Sequence, residues 1–324
     1  MTDGIPDYRI PIGDWVERGV DWVQDNFTGV LDGVSDGLGL MIGSFEDALM
    51  AMPPLLLAAL IVALAGWRVG WRFGLFALAA MALIFGMDIW KETVTTLALV
   101  IGSSLVALAI GIPIGIAMAR SDTVEAIARP VLDLMQTMPP FVYLIPAAIF
   151  FGLGKVPGAI ATLIFAMPPA VRLTNLGIRQ VSREHVEAGQ AFGCTDRQLL
   201  FKVQLPLAMP SIMAGINQTL MLALSMVVIA SMIGAGGLGN TVLTGIQRLN
   251  VGLGFEGGLG VVLLAILLDR ITQSFGRTKR GGPASARSGL IARGSPLLTR
   301  LSILFFWRSL VGSRYIWDSR PGPK

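Results

Sequence analysis

The chain has 324 residues, of which 53% are hydrophobic and only 14% charged, against about 25% charged in a soluble domain. Such a composition cannot cover a compact surface with polar groups, which excludes an ordinary soluble domain and points to a lipid surround. The single cysteine, Cys194, excludes an intrachain disulfide, the single histidine, His185, leaves no His/Cys metal set, and the net charge of +4 matters less than its uneven placement.

The N-terminus carries acidic residues and no basic stretch ahead of an apolar core, so no secretory signal peptide is expected. Residues 12–38 read as an amphipathic helix. Asp14, Glu17, Asp21, Asp25, Asp32 and Asp36 line one face; Val16, Val23, Phe27, Val30, Val34 and Leu38 lie opposite, with Trp15 and Trp22 at the flank. Such a helix lies either in the membrane interface or in solvent packed on its own chain.

A membrane helix needs about 20 mostly apolar residues. Seven stretches qualify as candidates: 50–67, 70–87, 93–119, 138–154, 157–178, 206–234 and 253–271. With the N-terminus outside, twenty Lys/Arg fall on inside segments and five (Arg9, Arg18, Lys91, Lys155, Arg248) outside, which fits the positive-inside bias and puts the C-terminus in the cytoplasm. The expected organisation is an acidic outer segment over 1–49, two accessory membrane helices over 50–89, a core over 90–275, and a basic, flexible cytoplasmic tail over 276–324. Within the tail, "LLTRLSILFFWRSLVG" is either a short interfacial helix or a segment with no role. In the third span, "GIPIG" (Gly111 to Gly115) permits close helix packing.

The link after the fifth span, "EAGQAFGCTDRQLLFKVQLP", runs from Glu187 to Pro206 on the cytoplasmic side. Ser182 is placed to cap a helix opening at Arg183, with Glu184 in its first turn, and Gly193 suits a left-handed C-terminal cap after Phe192. Thr195 and Gln198 form a capping-box pattern for a second helix, expected to end near Pro206. Ala188 and Gly189 are small enough for another surface to approach, and Arg183 and Glu187 can pair with each other or with a partner. The result is a helix–glycine–helix knob suited to a groove on another protein, or else an amphipathic linker lying on the membrane.

The stretch resembles the EAA loop of type I ABC importer permeases. That pattern is Glu-Ala-Ala, three residues, Gly, nine residues, an aliphatic residue, any residue, then Leu-Pro. Here it reads Glu187-Ala188-Gly189, Gly193, Val203, Leu205-Pro206, with Gly189 the one departure. "ARPVLDLMQTMPPFVYLIP", "AMPPAVRLTNLGIRQV" and "SMIGAGGLGNTVLTGIQRLN" are similar to the glycine betaine/proline betaine branch, and the resemblance covers roughly residues 90–275.

The resemblance implies an all-α polytopic membrane protein of the bacterial inner membrane, about seven helices with a five-helix importer core, working as a homodimer. It implies cytoplasmic ABC ATPase subunits that bind ATP-Mg and receive the loop at Arg183, Glu184, Glu187, Ala188, Gly189, Phe192 and Gly193. It also implies an extracytoplasmic binding protein that delivers the solute. No cofactor is expected in this chain, no catalytic residue, no metal and no nucleic-acid partner.

The residues agree with a chain that is not itself an enzyme. "GAGGLG" (Gly234 to Gly239) fits a dinucleotide-binding spacing but follows a membrane span, so a tightly packed turn is expected there; "FGLGKV" lacks the remainder of a P-loop. The span centres are nearly empty of acidic residues, which argues against an ion-coupled carrier, the main rival reading. Asn217, Gln218 and Thr219 in the sixth span either line a hydrated path or bond a neighbouring helix, and Tyr143, beside Phe141, is the core's one tyrosine. All seven tryptophans fall outside residues 91–306, so a tight aromatic cage for a quaternary ammonium group is not expected here.

Overall fold

The computed structural model describes residues 11–276, and every regular element among them is a helix. The expectations for 277–324, a flexible tail and a short interfacial helix, lie outside the described residues. In chain order the helices are α1 (Ile12–Met50), α2 (Pro54–Arg68), α3 (Trp71–Gly86), α4 (Trp90–Arg120), α5 (Asp122–Thr137), α6 (Pro140–Phe151), α7 (Lys155–Arg179), α8 (Arg183–Ala191), α9 (Asp196–Leu199), α10 (Leu205–Ser231), α11 (Gly237–Gln247) and α12 (Val251–Gly276).

All seven apolar stretches are helical. Four helical runs are long and apolar enough to cross a membrane alone: Trp90–Arg120, Lys155–Arg179, Asp196–Ser231 and Val251–Gly276. α1 with α2, and α5 with α6, form bent pairs that turn through 99° and 97°, and α3 is a shorter apolar helix of 16 residues. Both bends fall at Met-Pro-Pro. Pro53 and Pro139 are extended (ψ 131° and 137°), and Pro54 and Pro140 open the next helix, where a missing N–H leaves no hydrogen bond unmade.

The centre is α7 packed along α4 and α10. Small residues let the backbones close up, as membrane helices require where lipid offers no hydrophobic drive between them. A methyl group added at Gly115 of α4 would lie 2.6 Å from the Val171 carbonyl of α7; one at Gly177 of α7 would lie 2.7 Å from Ser211 Cβ of α10. "GIPIG" thus serves close packing, as its composition suggests. α11 and α12 meet the same way: the methyl position of Gly245 is 2.4 Å from the Gly254 nitrogen.

Two helices have no counterpart among the sequence expectations. α5 is amphipathic and capped by Ser121. α11 follows the turn at Gly234, Gly236 and Gly237, all left-handed (φ 86°, 78° and 71°). That turn is tightly packed: Leu238 N–H donates to Thr96 Oγ1 at 2.8 Å, and a methyl group at Gly237 would lie 2.5 Å from the same oxygen. α1 is longer than the expected 12–38 and kinks at Phe27 (φ −121°, ψ 17°). Trp15, Val16, Trp22, Phe27, Val30 and Val34 are exposed, and Gly13 to Gly37 meet no neighbour. Packing on the chain's own bundle begins only at Gly39, Ile42 and Glu46.

Candidate functional site

Each half of the 187–206 link is set by a local signal. α8 ends in a Schellman motif: Gly193 N–H donates to the Gln190 carbonyl (2.9 Å) and Cys194 N–H to the Gly189 carbonyl (3.1 Å), with Gly193 at φ 76°. Reciprocal capping-box bonds then open α9, from Gln198 N–H to Thr195 Oγ1 and from Thr195 N–H to Gln198 Oε1.

The structure corrects the expected details in three places, and at Arg183 and Glu187 it shows which of two alternatives is not formed. Ser182 is the N-cap residue, but its hydroxyl bonds His185 Nδ1 (2.5 Å) and caps no backbone N–H. The second helix does not end at Pro206. Leu205 is helical (φ −61°, ψ −45°), and a π turn over Leu200–Gln204 carries the chain straight into α10. There Leu205 N–H reaches back to the Leu200 carbonyl, widening the backbone just where the proline ring would otherwise meet the preceding turn. Arg183 and Glu187 are exposed and form no ion pair with each other; both line a cavity of about 470 Å3 with Arg120, Arg179, Asp196 and Gln204. Finally, Gly189 is buried beneath Leu199, whose Cδ1 lies 2.7 Å from its methyl position, with Val203 beyond. Its smallness lets α8 close on the chain's own α9 and π turn; it offers no surface to a visitor. What the knob presents outward is Glu184, Ala188, Gly193 and, above all, Phe192, 90% exposed.

The knob sits under the bundle end formed by the C-termini of α4 and α7 and the N-terminus of α10. There Arg179, the last residue of α7, donates to the Met118 carbonyl of α4 (2.9 Å), to Asn175 Oδ1 (3.1 Å) and to Asp122 Oδ1 of α5 (2.6 Å), and pairs with Glu125 Oε2 of α5 (2.9 Å). Glu125 also takes bonds from Arg129 and Asn175, and Arg172 pairs with Asp133 further along α5.

The four polar residues considered for a pathway are not brought together. Tyr143 packs against the buried cluster of Leu144, Ala161 and Met226, with its hydroxyl buried and unpartnered among the described residues. Asn217 bonds α12, donating to Asp269 Oδ1 (2.8 Å) and accepting from Thr272 Oγ1 (2.7 Å); Gln218 is exposed, and Thr219 is fully buried without a partner among the described residues. At Asn217 the helix-bonding alternative is the one realised.

The opposite bundle end holds a pair the sequence reading missed. Glu46, 5% exposed, accepts from Thr95 Oγ1 (2.9 Å) and Lys155 Nζ (2.5 Å), joining α1 to α4 and α7. The signal was an acidic residue breaking the apolar face of α1 one turn after Ile42, together with a lysine opening α7.

Residues 111–281 match the family described as "Binding-protein-dependent transport system inner membrane component". The chain is 51% identical over 272 residues to the glycine betaine/proline betaine transport system permease protein ProW of Escherichia coli, covering 84% of this chain and 77% of that one. It is 51% identical to the glycine betaine/carnitine transport permease protein GbuB of Listeria monocytogenes, covering 83% and 96%, and 49% identical to the glycine betaine transport system permease protein OpuAB of Bacillus subtilis, covering 82% and 94%. The matched region begins inside α4, includes the knob and ends just past α12. The chain therefore belongs to the binding-protein-dependent transport system inner membrane components, the membrane-spanning permease subunits of ABC importers.

Proposed function

We propose that this permease moves glycine betaine, proline betaine or a related small zwitterionic solute inward by alternating access, driven by ATP hydrolysed on a separate ATPase chain. The observation that carries the reading is the knob. Two short helices are locked at a left-handed glycine and hold Phe192 clear of the bundle, and the second runs unbroken into α10. A push on Phe192 thus reaches a spanning helix without crossing a flexible link, the helix-in-groove geometry a motor needs. The solute class comes from the names of the relatives, three of which carry glycine betaine.

The bundle end beside the knob gathers Arg120, Arg129, Arg172, Arg179, Arg183, Arg197 and Lys202, which supports a cytoplasmic placement for it and an outside N-terminus. ATP-Mg would be bound by the ATPase partner, a second copy of this chain would complete the pathway, and an extracytoplasmic binding protein would deliver the solute. Two cavities beside the spanning helices, about 360 and 350 Å3, have apolar linings. Beyond the hydroxyls of Ser104 and Thr272 in the first, they offer a zwitterion no polar partner and no charge, which suits a weakly binding pathway with selectivity left to the binding protein.

The test is reconstitution of this chain with its ATPase and binding protein in proteoliposomes, followed by uptake of labelled glycine betaine. ATP-dependent uptake that needs all three proteins is expected. Uptake by this chain alone under an ion gradient, with no ATPase bound, would overturn the reading.

A further inference from the structure

Movement of the knob reaches α10 directly, but α5 and α6 lie on another branch of the chain. We propose that Arg179 is the positioning residue that carries the knob's movement to α5 and, through the elbow at Met138–Pro139, to α6. The inference rests on α8 and α9 being the ATPase-docking element.

Arg179 ends α7 four residues before Arg183 opens α8, and it lines the same cavity as Arg183 and Glu187 of the knob. Its guanidinium reaches three elements at once: the Met118 carbonyl of α4, Asn175 of α7, and Asp122 and Glu125 of α5. α5 packs on α4 and α7 through one narrow apolar strip: Leu132, its one buried residue, joins Met118, Met167 and Val171, with Ala128 and Met135 half-buried beside it. Its apolar stripe of Val124, Ile127, Val131 and Leu134 is exposed, pointing away from the bundle. The ion pairs of Asp122, Glu125 and Asp133 with α7 fasten the helix beside the Leu132 strip and fix its position along α7. α6 follows α5 across a 97° bend at Met138 and the extended Pro139, so a shift of α5 is delivered to the start of α6.

The burial of the partners ranks them. The Asp122 side chain is 91% exposed and its pair with Arg179 is screened by water. The Glu125 side chain is 15% exposed and also receives Arg129 and Asn175, so its loss would strand donors from two helices. Arg172 with Asp133, 41% and 56% exposed, steers the far half of α5 more weakly. A lysine at 179 would keep the charge but not the planar fork that spans several acceptors.

The experiment uses the full complex in proteoliposomes and reads solute moved per ATP hydrolysed, with complex assembly checked by size-exclusion chromatography. Arg179→Gln and Glu125→Gln are each expected to lower that ratio about tenfold, the scale of an ordinary coupling energy, with hydrolysis and assembly retained. Arg179→Lys is expected to recover part of the ratio, and Asp122→Asn to leave it near the wild-type value. A wild-type complex that moves solute without hydrolysis overturns the docking reading and this inference with it. A coupled wild type whose Arg179→Gln variant keeps its ratio overturns this inference alone, as does an Asp122→Asn variant as damaged as Glu125→Gln.

Discussion

Gly193 offers a clean test of the knob because nothing surrounds it. A methyl group there would meet no atom within 4 Å, so a substitution acts through backbone conformation alone. The residue sits at φ 76°, with the Schellman bonds to Gln190 and Gly189 depending on that value. Placing a non-glycine side chain in the left-handed region costs roughly 1–2 kcal/mol, and a β-branched one is a genuine outlier there, whereas asparagine is tolerated. At about 1.4 kcal/mol the ratio of formed to opened cap falls tenfold, and at about 2 kcal/mol roughly thirtyfold. The expected order of solute moved per ATP is therefore Gly193, then Asn, then Ala, with Val lowest, while membrane insertion is unchanged. The assay is uptake of labelled betaine alongside phosphate release in proteoliposomes of the whole complex. Normal uptake by Gly193→Val, or a Gly193→Asn variant as poor as Gly193→Val, would refute the argument that the left-handed cap locks the knob.

Three further substitutions separate packing from coupling. Phe192→Ala should leave thermal stability within about 0.5 kcal/mol, because the ring is 90% exposed, yet reduce uptake sharply; a stable variant with full uptake would mean the ring docks nowhere. Gly239→Ala should destabilise the chain by roughly 1–3 kcal/mol, since the added methyl group would lie 2.3 Å from the Val227 carbonyl oxygen and backbone cannot rotate aside; Gly43→Ala, in open space on α1, is the control and should not destabilise in the same thermal melt. Glu46→Gln keeps an acceptor for Thr95 but loses the ion pair with Lys155, whose side chain is 43% exposed and can rehydrate. The loss should be about 1–2 kcal/mol, between a surface pair and a buried one, and appear as faster amide exchange over residues 39–50. Unchanged exchange there would remove Glu46 as the anchor of α1.

The knob is legible in sequence because its determinants are local. A glycine forced left-handed and a Thr-x-x-Gln box each depend on four or five consecutive residues, and both form as the spacing requires. What is not legible is which face of the knob is spent internally. Gly189 reads as an open docking surface until Leu199, ten residues on, folds over it. α5 escapes notice for a related reason. Its apolar stripe is interrupted by the charges of Asp122, Glu125, Arg129 and Asp133, and those charges make sense only opposite Arg172 and Arg179 of α7. α11 is hidden behind a glycine-rich turn whose helical continuation depends on the Thr96 hydroxyl of α4 capping Leu238.

The tripeptide Met-Pro-Pro shows where local reasoning stops. It occurs at 52–54, 138–140 and 167–169. Twice it breaks the helix and turns the chain by close to a right angle; the third time it stays inside α7. The proline ring clash and the missing N–H are the same in all three. The difference is what lies alongside. At 167–169 the tripeptide is buried between α4 and α10: Gly111 brings α4 against Met167 and Ala170, and Gly215 brings α10 so close that an added methyl group would lie 3.3 Å from the Pro169 carbonyl oxygen. A bend there would pull three packed helices apart at once. At 52–54 the chain is exposed and at 138–140 it is only partly covered, and a bend disturbs no such packing at either. Tertiary contact, supplied by two glycines more than forty residues away on either side, thus decides whether a proline pair ends a helix, and it is the permitted bend at 138–140 that turns α5 out of line with α6 and leaves it beside α7, within reach of Arg179.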